Sequence, residues 1–428
     1  MGRLMAAAQQ ITRLGQALSV SVLNQAVSSA TNFALSIYLV RMLSPVDFGL
    51  YGIGFAASLF LYGFGHALFL TQMTVHLPDK ALEEVPLYNA RMLIAVLVVG
   101  LVTLGALIVV VHVWTVLFPS MAGYFNYCVA VTAAGVTYLL KDFFVRHAYN
   151  QRKEWWALLV NSAVACAMIL MLIVMHFVGA ALSVEVALWV YTGSQIVGAI
   201  SGYVVAELPI RSVKWAFVRT DMSEAWNGGK WATATNVVYF LRTQAHTLFV
   251  AGLIGPAGVG SLNAARLFVT PAAMLIPAVG QVAMPRLATA RKRGMGDLIK
   301  TARLTTSVLV GFAVFYSLSV LMCYDSISTK ILGESYQGLF LATAMWCVYT
   351  CLLSLRSSVE MIGQVVRIFR SITFVNTCAA IVVLVSGYFL TAFYGLYGAQ
   401  WALVIGELGL VFLLFHALKP FRVAVPVC

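Results

Sequence analysis

Two arginines, Arg242 and Arg266, fall inside long apolar stretches of this 428-residue sequence. An ionised side chain at the centre of a bilayer costs about 2.5 to 3.5 kcal/mol on insertion scales, so each needs a partner or a polar cavity. Arg242 stands about 12 residues from the outer end of its stretch, which at 1.5 Å per residue is about 18 Å, near the midplane. Thr235, Tyr239, Arg242 and His246 follow one another at helical spacing and form one polar stripe, which Asn236 and Gln244 widen. In the next stretch Arg266 reaches a similar depth, with Asn263 and Thr270 on its face. No Asp or Glu lies at that depth in these two stretches, so the face is positive and suits an anion. A guanidinium fork matches phosphate oxygens two at a time and keeps its charge in a low dielectric, which favours phosphate or pyrophosphate. The bland alternative is that both arginines pair with backbone carbonyls or with a distant carboxylate such as Glu360 or Glu407.

Weaker candidates surround these. Asn24, Gln25, Ser28, Thr31 and Asn32 give the first apolar stretch a polar face of the same kind. His66, near Gly63 and Gly65, either lines a cavity or bonds a neighbouring helix. Arg356 and Glu360 are four residues apart and read first as a helix-stabilising ion pair. The basic run from Arg286 to Lys300 fits anionic headgroups, and equally the ordinary excess of positive charge on the inner side. Seven scattered cysteines, Cys347 and Cys351 among them, have no histidine or acid spaced to complete a metal site and read as apolar filler. No glycine-rich nucleotide loop is present, and no connection is long enough for a catalytic domain of a glycan-assembling membrane enzyme. The reading is therefore no enzyme, no metal and no nucleic acid.

The elements that must position these groups follow from composition. Hydrophobic residues make up 61% and charged residues 10%, far from a soluble domain. The expected fold is an all-α polytopic membrane protein of about 12 transmembrane helices. Six apolar stretches run over Ser19–Leu43, Val46–Thr71, Met92–Val113, Thr115–Leu139, Trp155–Val178 and Val184–Ala206. Six more run over Trp231–Ile254, Gly258–Met284, Leu304–Tyr324, Gly338–Ile362, Ser371–Ala392 and Gly395–Leu418. This gives an N-terminal six-helix bundle over 1–208, an amphipathic cytoplasmic linker over 209–230 carrying Trp215, Phe217 and Trp226, and a C-terminal six-helix bundle over 231–428. The net charge of +12 is one-sided: 23 of the 27 Lys and Arg residues, Lys141 and Arg356 among them, fall on the side that holds both termini, which places the termini in the cytoplasm. The first stretch ends at Arg41 and Pro45 without a cleavage site and reads as a retained span.

An internal repeat links the halves. Leu43-Ser44-Pro45-Val46-Asp47-Phe48-Gly49 aligns with Ile254-Gly255-Pro256-Ala257-Gly258-Val259-Gly260, each between the first and second spans of its half. Shifted by the same offset, the stripe on the seventh span falls on Asn24, Ser28, Thr31 and Leu35. Parallel repeats of this kind flank a central site and work by alternating access.

With these motifs on view, the segment from Asn24 to Tyr51, with its Arg41-Met42-Leu43-Ser44-Pro45-Val46-Asp47-Phe48-Gly49 core, resembles the opening of polysaccharide-transporter flippases of the multidrug/oligosaccharidyl-lipid/polysaccharide (MOP) superfamily. The segment from Gln244 to Arg266, followed by Pro271 and Pro285, is similar to that family's seventh and eighth spans. The resemblance implies a MOP/MATE-like V-shaped pair of six-helix bundles in the bacterial inner (plasma) membrane. It implies a flippase that moves undecaprenyl-pyrophosphate-linked oligosaccharide outward for surface polysaccharide biosynthesis. The substrate-binding residues would be Arg242, Arg266, His246, Asn24, Asn32, Tyr239 and Asn263, with His66, Gln25, Asn236 and Gln244 in support. Implied partners are the lipid-linked oligosaccharide, membrane lipids, a polysaccharide polymerase and glycosyltransferases. No cofactor is implied beyond coupling to a proton or sodium gradient or to the membrane potential. One departure stands out: many relatives carry an acid on the seventh span where this chain has His246, a residue that can itself carry a proton. The alternative within the superfamily is a cation-coupled exporter of small molecules, which wants an acidic residue in the first half's cavity.

Overall fold

Backbone amides in an apolar medium must find their partners within the chain, so apolar stretches of this length fold as helices. The structure, a computed structural model, describes residues 2–179 and 181–423, with side chains described outside 2–18, 121–122, 281, 334, 369 and 419–423. Arg3, Arg13, Lys419 and Arg422, counted above on the inner side, and Cys428 lie outside the described side chains. Among the described residues no strand occurs, and the all-α membrane fold expected from composition is the fold observed.

The helices are α1 (Gly2–Met42), α2 (Pro45–Gly65), α3 (Thr71–His76), α4 (Val85–Leu117), α5 (Phe125–Asn150), α6 (Glu154–Val178) and α7 (Val184–Ala206). Then come α8 (Trp215–Leu253), α9 (Pro256–Leu267), α10 (Thr270–Arg293), α11 (Met295–Met322), α12 (Tyr324–Leu332), α13 (Phe340–Val366) and α14 (Phe369–Val423). Among the described residues, seven helical runs are long and apolar enough to cross a membrane, and the bent pair α9 and α10 makes an eighth. One of the seven, inside α14, is broken at Gly395, whose φ of 60° and ψ of −138° are not helical, so it holds both of the last two expected spans. The other three expected spans are α1, α7 and α8, which have crossing length but carry polar side chains along it.

Two expectations are corrected. The fourth span is α5, Phe125–Asn150, and not Thr115–Leu139, because Lys141 and Asp142, which end the apolar run, are buried inside the helix. The segment 209–230 is not a separate linker: after a short turn at Ile210–Ser212, α8 starts at Trp215 and runs unbroken into the seventh span. Along its first turns Val218, Asp221 and Ala225 are buried and Trp215, Phe217 and Trp226 are exposed.

The chain divides into two compact units that differ from the two halves of the sequence. The first comprises residues 1–31 and 51–237, the second 32–50 and 238–428, so α1 and α8 each begin in the first unit and end in the second. In the first unit α5 packs against α7, α6 and α4, with Met73, Met92, Leu93, Phe143 and Val160 in the core. The leading part of α8 is held there by charge: Arg91 Nε lies 2.5 Å from Asp221 Oδ2, and Lys80 Nζ lies 3.6 Å from Glu224 Oε2. In the second unit α13 is central and packs against α14, α11 and α10.

The aligned repeat has a direct physical meaning in the second unit. A Cβ on Gly49 would overlap the carbonyl of Pro256, and a Cβ on Gly260 would overlap the carbonyl of Pro45. The two Pro-x-x-x-Gly turns therefore cross backbone to backbone, each glycine taking the other's proline carbonyl. That reciprocal contact explains why residues 32–50 belong with the second unit. Adding a methyl group here forces the helices apart at a cost of about 1 to 3 kcal/mol. Gly49→Ala and Gly260→Ala should each lower the thermal midpoint of the detergent-solubilised protein, whereas Gly105→Ala, which meets nothing within 4 Å, should leave it unchanged.

Candidate functional site

Each unit assembles its own polar cluster from side chains that its helices turn inward. The second unit holds Asn32, Tyr239, Arg242, Gln244, His246, Asn263 and Arg266, whereas Asn24, Gln25, His66 and Asn236 belong to the first.

In the second unit, Arg242 of α8 is 4% exposed and is not free. Its Nη1 donates to Glu407 Oε1 of α14 at 3.0 Å. The other oxygen of Glu407 lies 2.7 Å from Arg356 Nε of α13, a contact of charges without hydrogen-bond alignment. Arg356 also pairs with Glu360 one turn on, and Asn376 Nδ2 reaches Glu360 Oε1 at 3.5 Å. Arg242, Glu407, Arg356 and Glu360 thus form a chain of alternating charge with no net charge. Of the two readings of Arg242 given above, an uncompensated charge and a pair with a distant carboxylate such as Glu407, the second is the one observed. Arg356, expected among the inner-side charges, is buried in the same chain, and its ion pair with Glu360 is present as read.

Arg266 differs. It is exposed, no carboxylate pairs with it among the described residues, and its guanidinium carbon lies 5.4 Å from the centre of the Trp346 ring. Trp346 is fixed from behind, since its Nε1 donates to the carbonyl of Leu262 at 3.1 Å. The ring of His246 meets Trp346 edge to face at 5.5 Å, is 3% exposed, and has no hydrogen-bond partner on either nitrogen among the described residues. Arg266, Trp346 and His246 therefore lie together, while the Arg242 side chain is spent on Glu407. Tyr239, 57% exposed, lies with its ring 5.5 Å from the Arg242 guanidinium. Gln244 accepts from Thr247 at 3.3 Å, and Asn32 and Asn263 are half-buried. Over an aromatic ring and without a carboxylate among the described residues, the Arg266 guanidinium keeps donors that an oxyanion can take.

In the first unit Asn24 is buried and saturated. It donates to the Tyr149 hydroxyl at 2.8 Å and accepts from Asn161 at 2.8 Å, and Asn161 in turn accepts from Lys141 at 3.2 Å. Gln25 bonds Ser29 within its own helix, and Asn236 packs against Gly63. His66 opens a π turn, His66–Leu70, with Nε2 3.8 Å from Asp142 Oδ2. Tyr62 donates to that same oxygen at 2.9 Å. Lys141, Asp142, Asn161 and Trp346 were missed from sequence. The signal was there for one pair: a Lys-Asp step in an apolar run, one turn from Tyr138, is a buried ion site as readily as a helix end.

A family model described as "Polysaccharide biosynthesis protein" matches residues 14–290. No curated protein matches the chain. Among solved structures, a lipid II flippase MurJ in its inward closed conformation matches at 14% identity and a TM-score of 0.72, over 93% of this chain and 87% of its own. An inward-facing multidrug resistance MATE transporter of the MOP superfamily matches at 15% identity and a TM-score of 0.70, over 95% and 98%. The MATE multidrug transporter DinF-BH matches at 15% identity and a TM-score of 0.64, over 96% of each chain. At such identities the likeness is one of fold.

Removing one partner of a buried ion pair strands the other and costs about 3 to 5 kcal/mol, less where a second partner remains. Arg242→Met should therefore destabilise the protein, and Arg242→Met combined with Glu407→Gln should recover most of that loss, as read from thermal midpoints of the purified variants. Additive losses in the double variant would show that the two groups are not coupled.

Proposed function

Because the chain belongs to the polysaccharide biosynthesis protein family, we propose that it is a flippase that moves lipid-linked oligosaccharide across the bacterial inner membrane for surface polysaccharide assembly. A membrane transporter fold of the MOP superfamily supports this reading, as does a lipid II flippase among the structures it resembles. The family and the fold neighbours are transporters and flippases rather than enzymes.

The observation that carries the proposal furthest is Arg266. Buried arginines Arg91, Arg242 and Arg356 each face a carboxylate, whereas Arg266 is exposed, stacked on Trp346 and without one among the described residues. A polyprenyl-pyrophosphate head group supplies the missing anion. His246 and Asn263 stand beside it, and Arg242, whose charge Glu407 neutralises, ties α8, which carries His246, to α14. Both termini are in the cytoplasm in this scheme, following the charge bias of the connections, and the lipid tail remains in the bilayer during transfer. Substrate comes from glycosyltransferases on the inner side and passes to a polymerase outside. Export of small molecules is not favoured, because the family matched is one of polysaccharide biosynthesis.

The decisive measurement is leaflet accessibility of the lipid-linked oligosaccharide to a membrane-impermeant lectin, on spheroplasts and on inverted vesicles from cells with and without this chain. Accumulation facing the cytoplasm, reversed by expression of the chain, is expected; an unchanged distribution with altered drug sensitivity would replace the flippase by an exporter. Arg266→Ala removes a charge-assisted hydrogen bond of about 1.5 to 3 kcal/mol, so surface glycan should fall roughly tenfold or more while protein abundance stays at the wild-type level. Arg266→Lys should recover part of it.

A further inference from the structure

The end of the second unit where α10 and α13 stop and α11 and α14 start carries a charge that the protein leaves uncompensated. Residues 286–303 and 367–370 hold eight Lys and Arg against one acid, Asp297, and all eight are exposed. No carboxylate pairs with any of them among the described residues. One buried core holds the two segments together, with Leu287 of α10, Leu298 of α11 and Val365 and Val366 of α13 packed in it. Arg291 Nη1 also donates to the carbonyl of Val365, which brings the end of α10 to the end of α13. Arg367 follows in the left-handed conformation, φ 70°, at a helix-ending position that ordinarily takes glycine. It stands in the tight turn that leads into α14, and Arg370 stands in the first turn of that helix.

An excess of Lys and Arg on the inner side is general to membrane proteins, so it accounts for the number of these cations but not for where they stand. At about 100° per residue, Lys300, Leu304, Phe315 and Leu318 of α11 fall within about 60° of one another, with Arg303 at the edge of that face. Arg370, Phe374, Ile381, Val385 and Tyr388 of α14 share a face in the same way. The apolar members of both faces are exposed, so each helix presents a bare apolar stripe headed by an exposed cation. The helices of the first unit that expose apolar residues begin or end otherwise. On α4 the charge of Arg91 is taken by Asp221, α6 begins at Glu154, and α7 is capped by Glu207.

We propose that this end of the second unit binds anionic phospholipid, with phosphate held by Lys300 and Arg303 at one position and by Arg367 and Arg370 at another, and with acyl chains laid along the stripes. On the charge bias of the connections, the surface faces the inner leaflet. Guanidinium and ammonium groups donate to phosphate oxygens, and basic clusters at a membrane surface attract anionic headgroups. The apolar stripes decide the occupant. A soluble anion or an acidic polypeptide would satisfy the cations and leave Leu304 and Phe374 bare, whereas a phospholipid covers both. The inference is independent of the flippase reading, because it concerns lipid that stays in its own leaflet.

Native mass spectrometry of the purified, delipidated full-length protein, titrated with phosphatidylglycerol or with phosphatidylcholine, tests the surface. The wild type should bind phosphatidylglycerol roughly tenfold more tightly. Lys300→Gln with Arg303→Gln, and Arg367→Gly with Arg370→Gln, should each remove part of that preference, and the four together should abolish it. Arg367→Gly gives the left-handed position the residue it favours, so the thermal midpoint of that pair should stay at or above the wild-type value while binding falls. Arg152→Gln with Lys153→Gln, which removes exposed cations of the first unit, should keep the wild-type preference, as should Arg266→Ala. Equal binding of the two lipids by the wild type, an unchanged preference in the fourfold variant, or a loss in either control overturns the proposal. Displacement of bound phosphatidylglycerol by equimolar undecaprenyl pyrophosphate would overturn the assigned occupant and make the surface an entry point for substrate. Displacement by equimolar glycerol 3-phosphate would overturn it in favour of a soluble anion.

Discussion

A charge carried into an apolar helix bundle has to be neutralised there, and that constraint organises the polar interior of this protein. Glu407 is 3% exposed between two arginines, one on each oxygen, and Arg356 extends the chain to Glu360. The alternation ties α8, α13 and α14 together at fixed rotations, because a carboxylate with two guanidinium partners tolerates little turning of any helix that carries them. The same rule acts in the first unit, where Asp221 answers Arg91 and anchors the leading part of α8. Against this background Arg266, exposed on the ring of Trp346 and without a carboxylate among the described residues, is a charge that the bundle itself does not neutralise.

Close backbone contact is the second organising feature. Pro45 to Gly49 and Pro256 to Gly260 start α2 and α9 in the same way, with a proline supplying the fixed φ of a first turn and no amide to leave unpaired. Four residues later a glycine gives each helix a flat side, and the two flat sides meet. The repeat is thus an architectural element with a mechanical job. It recruits residues 32–50 into the second unit and obliges α1 to pass from one unit to the other.

Much of this was legible in the sequence, and particular residues show where legibility ended. Apolar length and composition determined that the chain is a bundle of membrane helices; the break at Gly395 and the pairing of Arg356 with Glu360 were also visible, since each depends on residues within a few turns of one another. The repeat was visible as an alignment but not as a contact. The fourth span was cut short at Lys141 and Asp142, because hydropathy records the cost of burying a charge and not the Asn161 and Tyr62 that offset it.

What only the tertiary structure decided is which polar groups face one another. Helical periodicity places Arg242 and His246 on one stripe, but it is silent on the rotation of α8 against α13 and α14. That rotation gave Arg242 the carboxylate of Glu407, 165 residues away, while the packing of α9 on α13 gave Arg266 the face of Trp346. Sequence spacing fixes the angle between side chains on one helix, whereas the partner of a buried charge is fixed by how several helices pack at once, and packing is settled by the sum of all their contacts.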